Sequence, residues 1–280
     1  MDRADLESPA AREIRDDLNG LIRRLKRDGL RASSWYGRFD VSEDPFQWIN
    51  RGYGYEPLPD AADDPNYPWF LYWEIAWLVA NNEFRPGDRL LDLGGSSSLY
   101  SYYMASKGLE VTTIDLLAPL VENADRVASR TGWSLTNHVM DMRNITLDGP
   151  FDHITSVCVF EHIPVSGRAR ISSRIRDLLR DGGSFSITFD YLNPSRAARI
   201  SSPEDLVTQF VEPSGLALRG NRQFLDNGER YLLAPFFHPR AWRRGWKLLM
   251  LLRREFGPRD LFRVKRSNDY TFGALFMRKA

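Results

Sequence analysis

A single cysteine, Cys158, in 280 residues excludes a disulfide framework and, within one chain, a thiolate metal cluster. An excess of either charge is also lacking. Lys and Arg number 38 against 37 Asp and Glu, and a net charge of +1 gives no global attraction to nucleic acid or to a membrane. No long apolar run comes after the charged start Met1-Asp-Arg-Ala-Asp-Leu-Glu7, so neither a secretory signal nor a spanning helix is expected, and a cytoplasmic location is. Internal repeats and low-complexity tracts are missing too. What the chain does have is enough length for one full α/β core plus extra elements, and aromatics at 12%, crowded between Trp35 and Trp77.

Apolar spacing organises the rest. Ile14, Leu18, Leu21, Ile22 and Leu25 mark one face of a helix over 9–28, started by Ser8-Pro9 and stopped by Gly29. Residues 68–82 read as a helix apolar on nearly every face, to be buried against the α/β region C-terminal to it. Strands are expected at 89–93, 110–115, 134–140, 153–160 and 184–190, with helices at 97–107 and 118–131 between them. A further helix carries Ile171, Ile175, Leu178 and Leu179 on one face and is ended by Asp181-Gly-Gly183. Ser202-Pro203-Glu204 opens another helix, a short strand falls near 216–219 and the chain closes with a strand over 270–277. Such alternation predicts a parallel sheet with helices on both faces and ligands at the carboxyl ends of its strands.

The most informative segment is Arg89-Leu-Leu-Asp-Leu-Gly-Gly-Ser-Ser-Ser98, running through a helix to Leu109-Glu-Val-Thr-Thr-Ile-Asp115. Small residues let backbone approach a ligand, a helix start offers free N–H groups, and an acid at the end of the second strand can grip ribose hydroxyls. A dinucleotide site wants Gly-x-Gly-x-x-Gly, and counting from Gly94 puts Ser96 and Leu99 where the later glycines belong, which disfavours NAD and FAD. The segment resembles the first motif of the class I S-adenosylmethionine-dependent methyltransferases, with Asp92 as the acid and Gly94 as the first glycine. That family's second and third glycines align with Ser96 and Ser98, and Gly95 is an added small residue.

The order of elements over 89–218, closed by 270–277, is similar to that family's Rossmann-like, doubly wound, seven-stranded and mostly parallel sheet, whose last strand runs antiparallel between the fifth and sixth. The resemblance implies S-adenosyl-L-methionine as cofactor, held by Asp92, Gly94, Gly95, Ser96, Asp115, Leu116, Asp141, Met142 and Phe160. In it Asp115 takes the ribose, Asp141 the adenine amine, and Met142 packs on the ring. Val157-Cys-Val-Phe-Glu-His162 resembles the Glu-His segment of small-molecule methyltransferases, making Glu161 and His162 the catalytic candidates and His162 a base for an acceptor hydroxyl. The Asn/Asp-Pro-Pro-Tyr signature of amino methyltransferases is absent, which favours an oxygen acceptor on a small molecule.

Outside the resemblance lie an N-terminal helical and aromatic cap, 1–84, and an insert, 221–269, within a methyltransferase domain of 85–280. Asp190-Tyr191 should face the same crevice, and Phe236-Phe-His-Pro239 suits a lid. The basic run over 240–256 has three readings: a solvated helix face, an attractor for an anionic substrate, or a membrane-surface contact through Trp242, Trp246 and the leucines. Nucleic acid is disfavoured as a partner because the excess is confined to one stretch. The rival to an enzyme is a non-catalytic, methyltransferase-like binding module, and no metal is implied.

Overall fold

The computed structural model describes residues 1–35, 37, 39, 66–193, 196, 199–220, 224–231 and 270–280. Helix α1, Pro9–Arg27, begins where the Ser8 hydroxyl accepts from the Ala11 amide and Pro9 takes the first turn. Gly29, at φ +65°, ends it by turning left-handed, which brings Leu30 N to donate to Leu25 O at 2.8 Å. The predicted face from Ile14 to Leu25 is buried. Helix α2, Trp69–Ala80, buries Trp69 through Ala76 without a break, as an all-round apolar helix must. Among these residues is Glu74, a carboxyl with no access to water.

The strands are β1 Arg89–Leu93, β2 Glu110–Asp115, β3 Leu135–Val139, β4 Phe151–Val157, β5 Leu179–Tyr191, β6 Ala217–Leu218 and β7 Thr271–Arg278. They form one sheet in the order β3-β2-β1-β4-β5-β7-β6, in which β7 pairs antiparallel with both β5 and β6 and the remaining pairs are parallel. Helices α3 Leu99–Ser106, α4 Ala118–Thr131 and α5 Val165–Leu178 fill the crossovers. Helix α6 opens at Pro203–Leu206, passes through a π-helical turn, Val207–Val211, and closes at Glu212–Ser214. This is the Rossmann-like doubly wound sheet that the sequence order predicted.

Alternate residues of each strand feed two cores, one on each face. On one face Leu90, Val111, Leu135 and Phe272 pack with α1, α2 and α3 in a single cluster that also takes in Leu6 and Leu30, so the N-terminal segment forms part of a layer of the sheet. On the other face Leu91, Ile114, Ile154, Phe185 and Leu275 meet α5 and α6.

Two boundaries differ from expectation. Asp181-Gly-Gly183 does not stop a helix: α5 ends at Leu178, Leu179 already pairs with Phe151, and the next pair is His153 with Ser184, so residues 180–183 bulge from β5 with Gly182 at φ +72°. Leu179 is buried in either assignment, and apolar spacing does not separate a last helical residue from a first strand residue. Strand β4 likewise stops at Val157, and Phe160–His162 is a short 3-10 turn.

Candidate functional site

The carboxyl ends of β1, β2, β4 and β5 open into one cleft of about 540 Å³, within the range of small-molecule pockets. Ser33, Ser34 and Trp35 of the N-terminal segment form one wall, and Gly94, Gly95, Asp115, Cys158, His162 and Arg196 line the rest.

At the β1 end Asp92 is buried and accepts from Ser101 Oγ at 2.6 Å and from Thr155 Oγ1 at 3.2 Å. Burial pushes its carboxyl up to about 7 against those two donors. The chain passes so close over this carboxyl that a Cβ at Gly95 would lie 1.8 Å from Asp92 Oδ2. A Cβ at Gly94, which sits at φ +79°, would lie 2.9 Å from the Val159 side chain. Both positions are therefore a cradle that only glycine leaves open.

The three serines after this cradle are consumed by the fold. Ser96 Oγ pairs with Thr113 Oγ1 of β2 at 2.6 Å, and Ser98 caps α3 by accepting from Ser101 N at 3.0 Å. Ser97 is the strained one, at φ +63°. Its hydroxyl donates to Leu120 O at 2.5 Å and accepts from Tyr102 OH and Asn123 Nδ2, while its carbonyl accepts from Ser33 N at 2.7 Å. The alignment of later glycines with Ser96 and Ser98 thus misses where the loop needs left-handed backbone, which is at Ser97. The turn is held by hydroxyl hydrogen bonds to β2 and α4 and by a backbone bond from Ser33 of the N-terminal segment.

Asp115 ends β2 on the cleft wall; one oxygen accepts from Leu117 N at 2.9 Å, and burial raises its pKa. Leu116 beside it is 63% exposed. Met142 is buried beside Gly94 and Val159. Asp141 lies off the cleft wall in a fork with Arg143, whose Nε approaches the two carboxylate oxygens at 3.0 and 2.9 Å, and that partner lowers its pKa. Phe160 turns away from the cleft into the core, edge-on to Phe185 and Phe210.

At the β4–β5 end a buried polar cluster lies beneath the cleft. Glu161 accepts from Cys158 Sγ at 2.8 Å through Oε1, while its Oε2 has no partner among the described residues. Glu74, reaching across from α2, accepts from Thr188 Oγ1 at 2.7 Å and from Trp35 Nε1 at 3.1 Å. Burial raises Glu74 to about 8 and, with the Asp190 charge adding to the rise, raises Glu161 as well, so both favour the protonated form. Asp190 accepts from Asn193 Nδ2 at 2.6 Å and from Arg196 Nε at 2.9 Å. Arg196 also reaches His162 Nδ1 at 3.1 Å, and burial together with that guanidinium lowers the His162 pKa.

Cys158 Sγ, Glu161 and Asp190 bring ligand atoms within 4.8 Å of one another. Arg196 already pairs with Asp190, and the Cys158 thiol with Glu161 Oε1. Asp190 and Tyr191 were expected to face the cleft; Asp190 is instead fully buried in the cluster beneath it, and Tyr191 lines a separate cavity of about 400 Å³ with Trp73 and Trp77. Phe236, His238 and the basic run over 240–256 lie outside the described residues. Sequence reasoning missed Trp35, Glu74, Thr188, Asn193 and Arg196. The one available signal was Glu74, a lone acid inside the apolar run over 69–80.

Residues 90–183 match the family described as Methyltransferase domain. A ubiquinone biosynthesis O-methyltransferase of Xanthomonas campestris is 30% identical over 152 residues, covering 50% of this chain and 63% of that protein. A probable fatty acid methyltransferase of Mycobacterium tuberculosis is 26% identical over 170 residues, or 59% of this chain and 38% of that one. The ubiquinone matches reach only 42 to 63% of those relatives' length. Among solved structures, the 4+2 cyclase SpnF superposes with a TM-score of 0.54 at 15% identity, over 89% of this chain and 98% of that one. A phosphoethanolamine N-methyltransferase of Haemonchus contortus, solved with S-adenosyl-L-methionine, gives 0.51 at 18% identity, over 74% and 52%. At these identities the structures share a fold.

Proposed function

We propose that this chain, which carries a class I S-adenosylmethionine-dependent methyltransferase domain, binds that cofactor in the β1–β2 half of the cleft and methylates an oxygen of a small molecule held in the β4–β5 half. The observation that carries the reading is the cleft itself: a glycine cradle and a half-buried acid at one end, and a donor-rich polar cluster at the other. Bound there, the cofactor supplies an electrophilic methyl on a sulfonium.

The chain's own residues account for the binding and the alignment. Gly94 and Gly95 let the loop lie tight on Asp92 and Val159 at the cleft wall, Asp115 offers a carboxylate oxygen to ribose hydroxyls, and Asp141, to meet adenine, would exchange its fork with Arg143 for the ligand. Asp92 stiffens the loop from below through Ser101 and Thr155. Trp35, Tyr270 and Leu71 cover the acceptor end, where excluding water and fixing the line of approach supply much of the acceleration of a direct displacement. His162 is the catalytic residue lining that end in this reading, and Glu161, buried behind the Cys158 thiol, supports it from beneath. Cap 1–84 and insert 221–269 supply acceptor specificity in this reading.

An oxygen acceptor is supported by the missing amine signature and by the likeness to proteins named O-methyltransferases. The experiment is to incubate the whole chain with methyl-labelled S-adenosylmethionine and candidate hydroxy and carboxy compounds, and to read the product by mass spectrometry. Label on oxygen is expected; label on nitrogen or carbon would overturn the oxygen assignment.

A further inference from the structure

The tautomer of His162 is fixed by its neighbour. A guanidinium has five donors and no acceptor, so Arg196 at 3.1 Å from Nδ1 must donate to it. The neutral ring then carries its proton on Nε2, the nitrogen that no described residue engages. Arg196 is itself held: its Nε and NH2 both lie 2.9 Å from Asp190 Oδ2, and Asp190 is fully buried. From α5 a second guanidinium, Arg168, donates to the carbonyls of Phe160, Glu161 and Ile163, bracketing the same turn with positive charge. Burial first, and then these two cations, lower the pKa of the imidazole against the opposing charge of Asp190, which favours the neutral ring.

No other imidazole and no carboxyl lines the cleft at this end among the described residues. Glu161 is buried behind the Cys158 thiol, Glu74 is covered by Trp35 and Thr188, and Asp190 by Asn193 and Arg196. An alcohol losing its proton during methyl transfer would find no acceptor among them. An acceptor that is already an anion needs none: its oxygen lone pair forms the new O–C bond, the S–C pair stays on sulfur, and the charges of sulfonium and oxyanion cancel with no proton to place.

Resting on the methyl-transfer reading, we propose that His162 presents an N–H to the acceptor instead of acting as its base, and that the acceptor enters as an oxyanion, a carboxylate or an ionised phenol. Arg196 is then a positioning residue that acts through His162. This replaces the expectation of a histidine base drawn from the Glu-His segment.

The test uses the whole chain, labelled with 15N at histidine, with S-adenosylhomocysteine present. Long-range proton–nitrogen correlations, assigned by loss of the signal in His162→Gln, should show the Nε2–H tautomer at pH 7, with the preference lost in Arg196→Met and retained in Arg196→Lys. In turnover assays with labelled S-adenosylmethionine and a panel of benzoates and phenols of graded acidity, kcat/KM should follow ionisation of the substrate, and the two compound classes separate the two sources of oxyanion. His162→Gln, which keeps an N–H near Nε2 but is no base, should stay within about tenfold of the parent, while His162→Ala should fall about a hundredfold, the scale of a lost catalytic hydrogen bond. An Nδ1–H tautomer, or a His162→Gln as inactive as His162→Ala, would overturn the proposal. Failure of calorimetry to detect S-adenosylhomocysteine binding would instead remove the methyl-transfer reading beneath it.

Discussion

At the β1–β2 end of the cleft, the loop over 94–98 and the acid it encloses sit within one short stretch of chain, tied by Ser101 to Asp92 across 9 positions. At the β4–β5 end, Glu74 meets Thr188 across 114 positions and Trp35 across 39, and Arg196 reaches back 34 to His162. The first end is held by close backbone passage and hydroxyls around a single buried acid, Asp92, the second by several buried acids gathered from distant segments. A local cradle depends on single atoms of space, whereas an assembled cluster depends on protonation state, so the two ends should fail under different perturbations.

The largest effect is expected from Gly95→Ala. Its Cβ would lie 1.8 Å from Asp92 Oδ2 and 2.9 Å from Ser101 Oγ, so the buried carboxyl must lose its donor or the loop must move. A loss of about 3 kcal/mol of stability is expected together with loss of cofactor binding, read by denaturant unfolding and calorimetry. Retained stability and binding would show that the cradle is not tight.

The acid cluster should respond to pH in a defined direction. Burial raises Glu74 from 4.5 to about 8, so the folded state binds a proton that the unfolded state has released between those values. Its contribution to stability is full below the unfolded value and is lost as pH rises through about 8; Glu161 titrates in the same window and Asp92, at about 7, in an overlapping one. Melting temperature should therefore fall from pH 5 to pH 9. Glu74→Gln, which copies the protonated acid, should flatten that slope with less than about 1 kcal/mol lost at pH 6, whereas Glu74→Ala should cost about 3 kcal/mol there. An unchanged slope in Glu74→Gln would mean that the carboxyl is ionised in the folded protein.

Ser97 sets two local effects against each other. Ser97→Gly relieves a backbone at φ +63° but strips Leu120 O, Tyr102 and Asn123 of one shared partner. The hydroxyl should win, with a net loss of about 1 kcal/mol in thermal unfolding. A stabilised variant would reverse that ranking. The smallest structural effect belongs to Asp141→Ala: its fork with Arg143 is exposed, so melting temperature should not move, while affinity for S-adenosylhomocysteine should drop several-fold if the carboxylate meets adenine. An unchanged dissociation constant removes that assignment.

The same contrast explains what the sequence revealed. Strand order, the glycine cradle and Asp115 were legible because each is a short-range pattern: alternating elements, small residues after a strand, an acid at a strand end. The bulge at 180–183 was hidden because Leu179 is buried in a helix or a strand alike. Arg196 over His162 was hidden because no spacing in the chain announces a pair that β5 and the turn after β4 bring together.

The central claim is that the β1–β2 end binds S-adenosylmethionine. Isothermal titration of the whole chain with S-adenosylhomocysteine, beside Asp115→Ala, tests it most directly. One site per chain is expected, with a dissociation constant on the micromolar scale that is weakened at least tenfold, about 1.4 kcal/mol or more, in Asp115→Ala. Absence of heat in both proteins, with both folded, would contradict it and leave the chain a methyltransferase-like binding module.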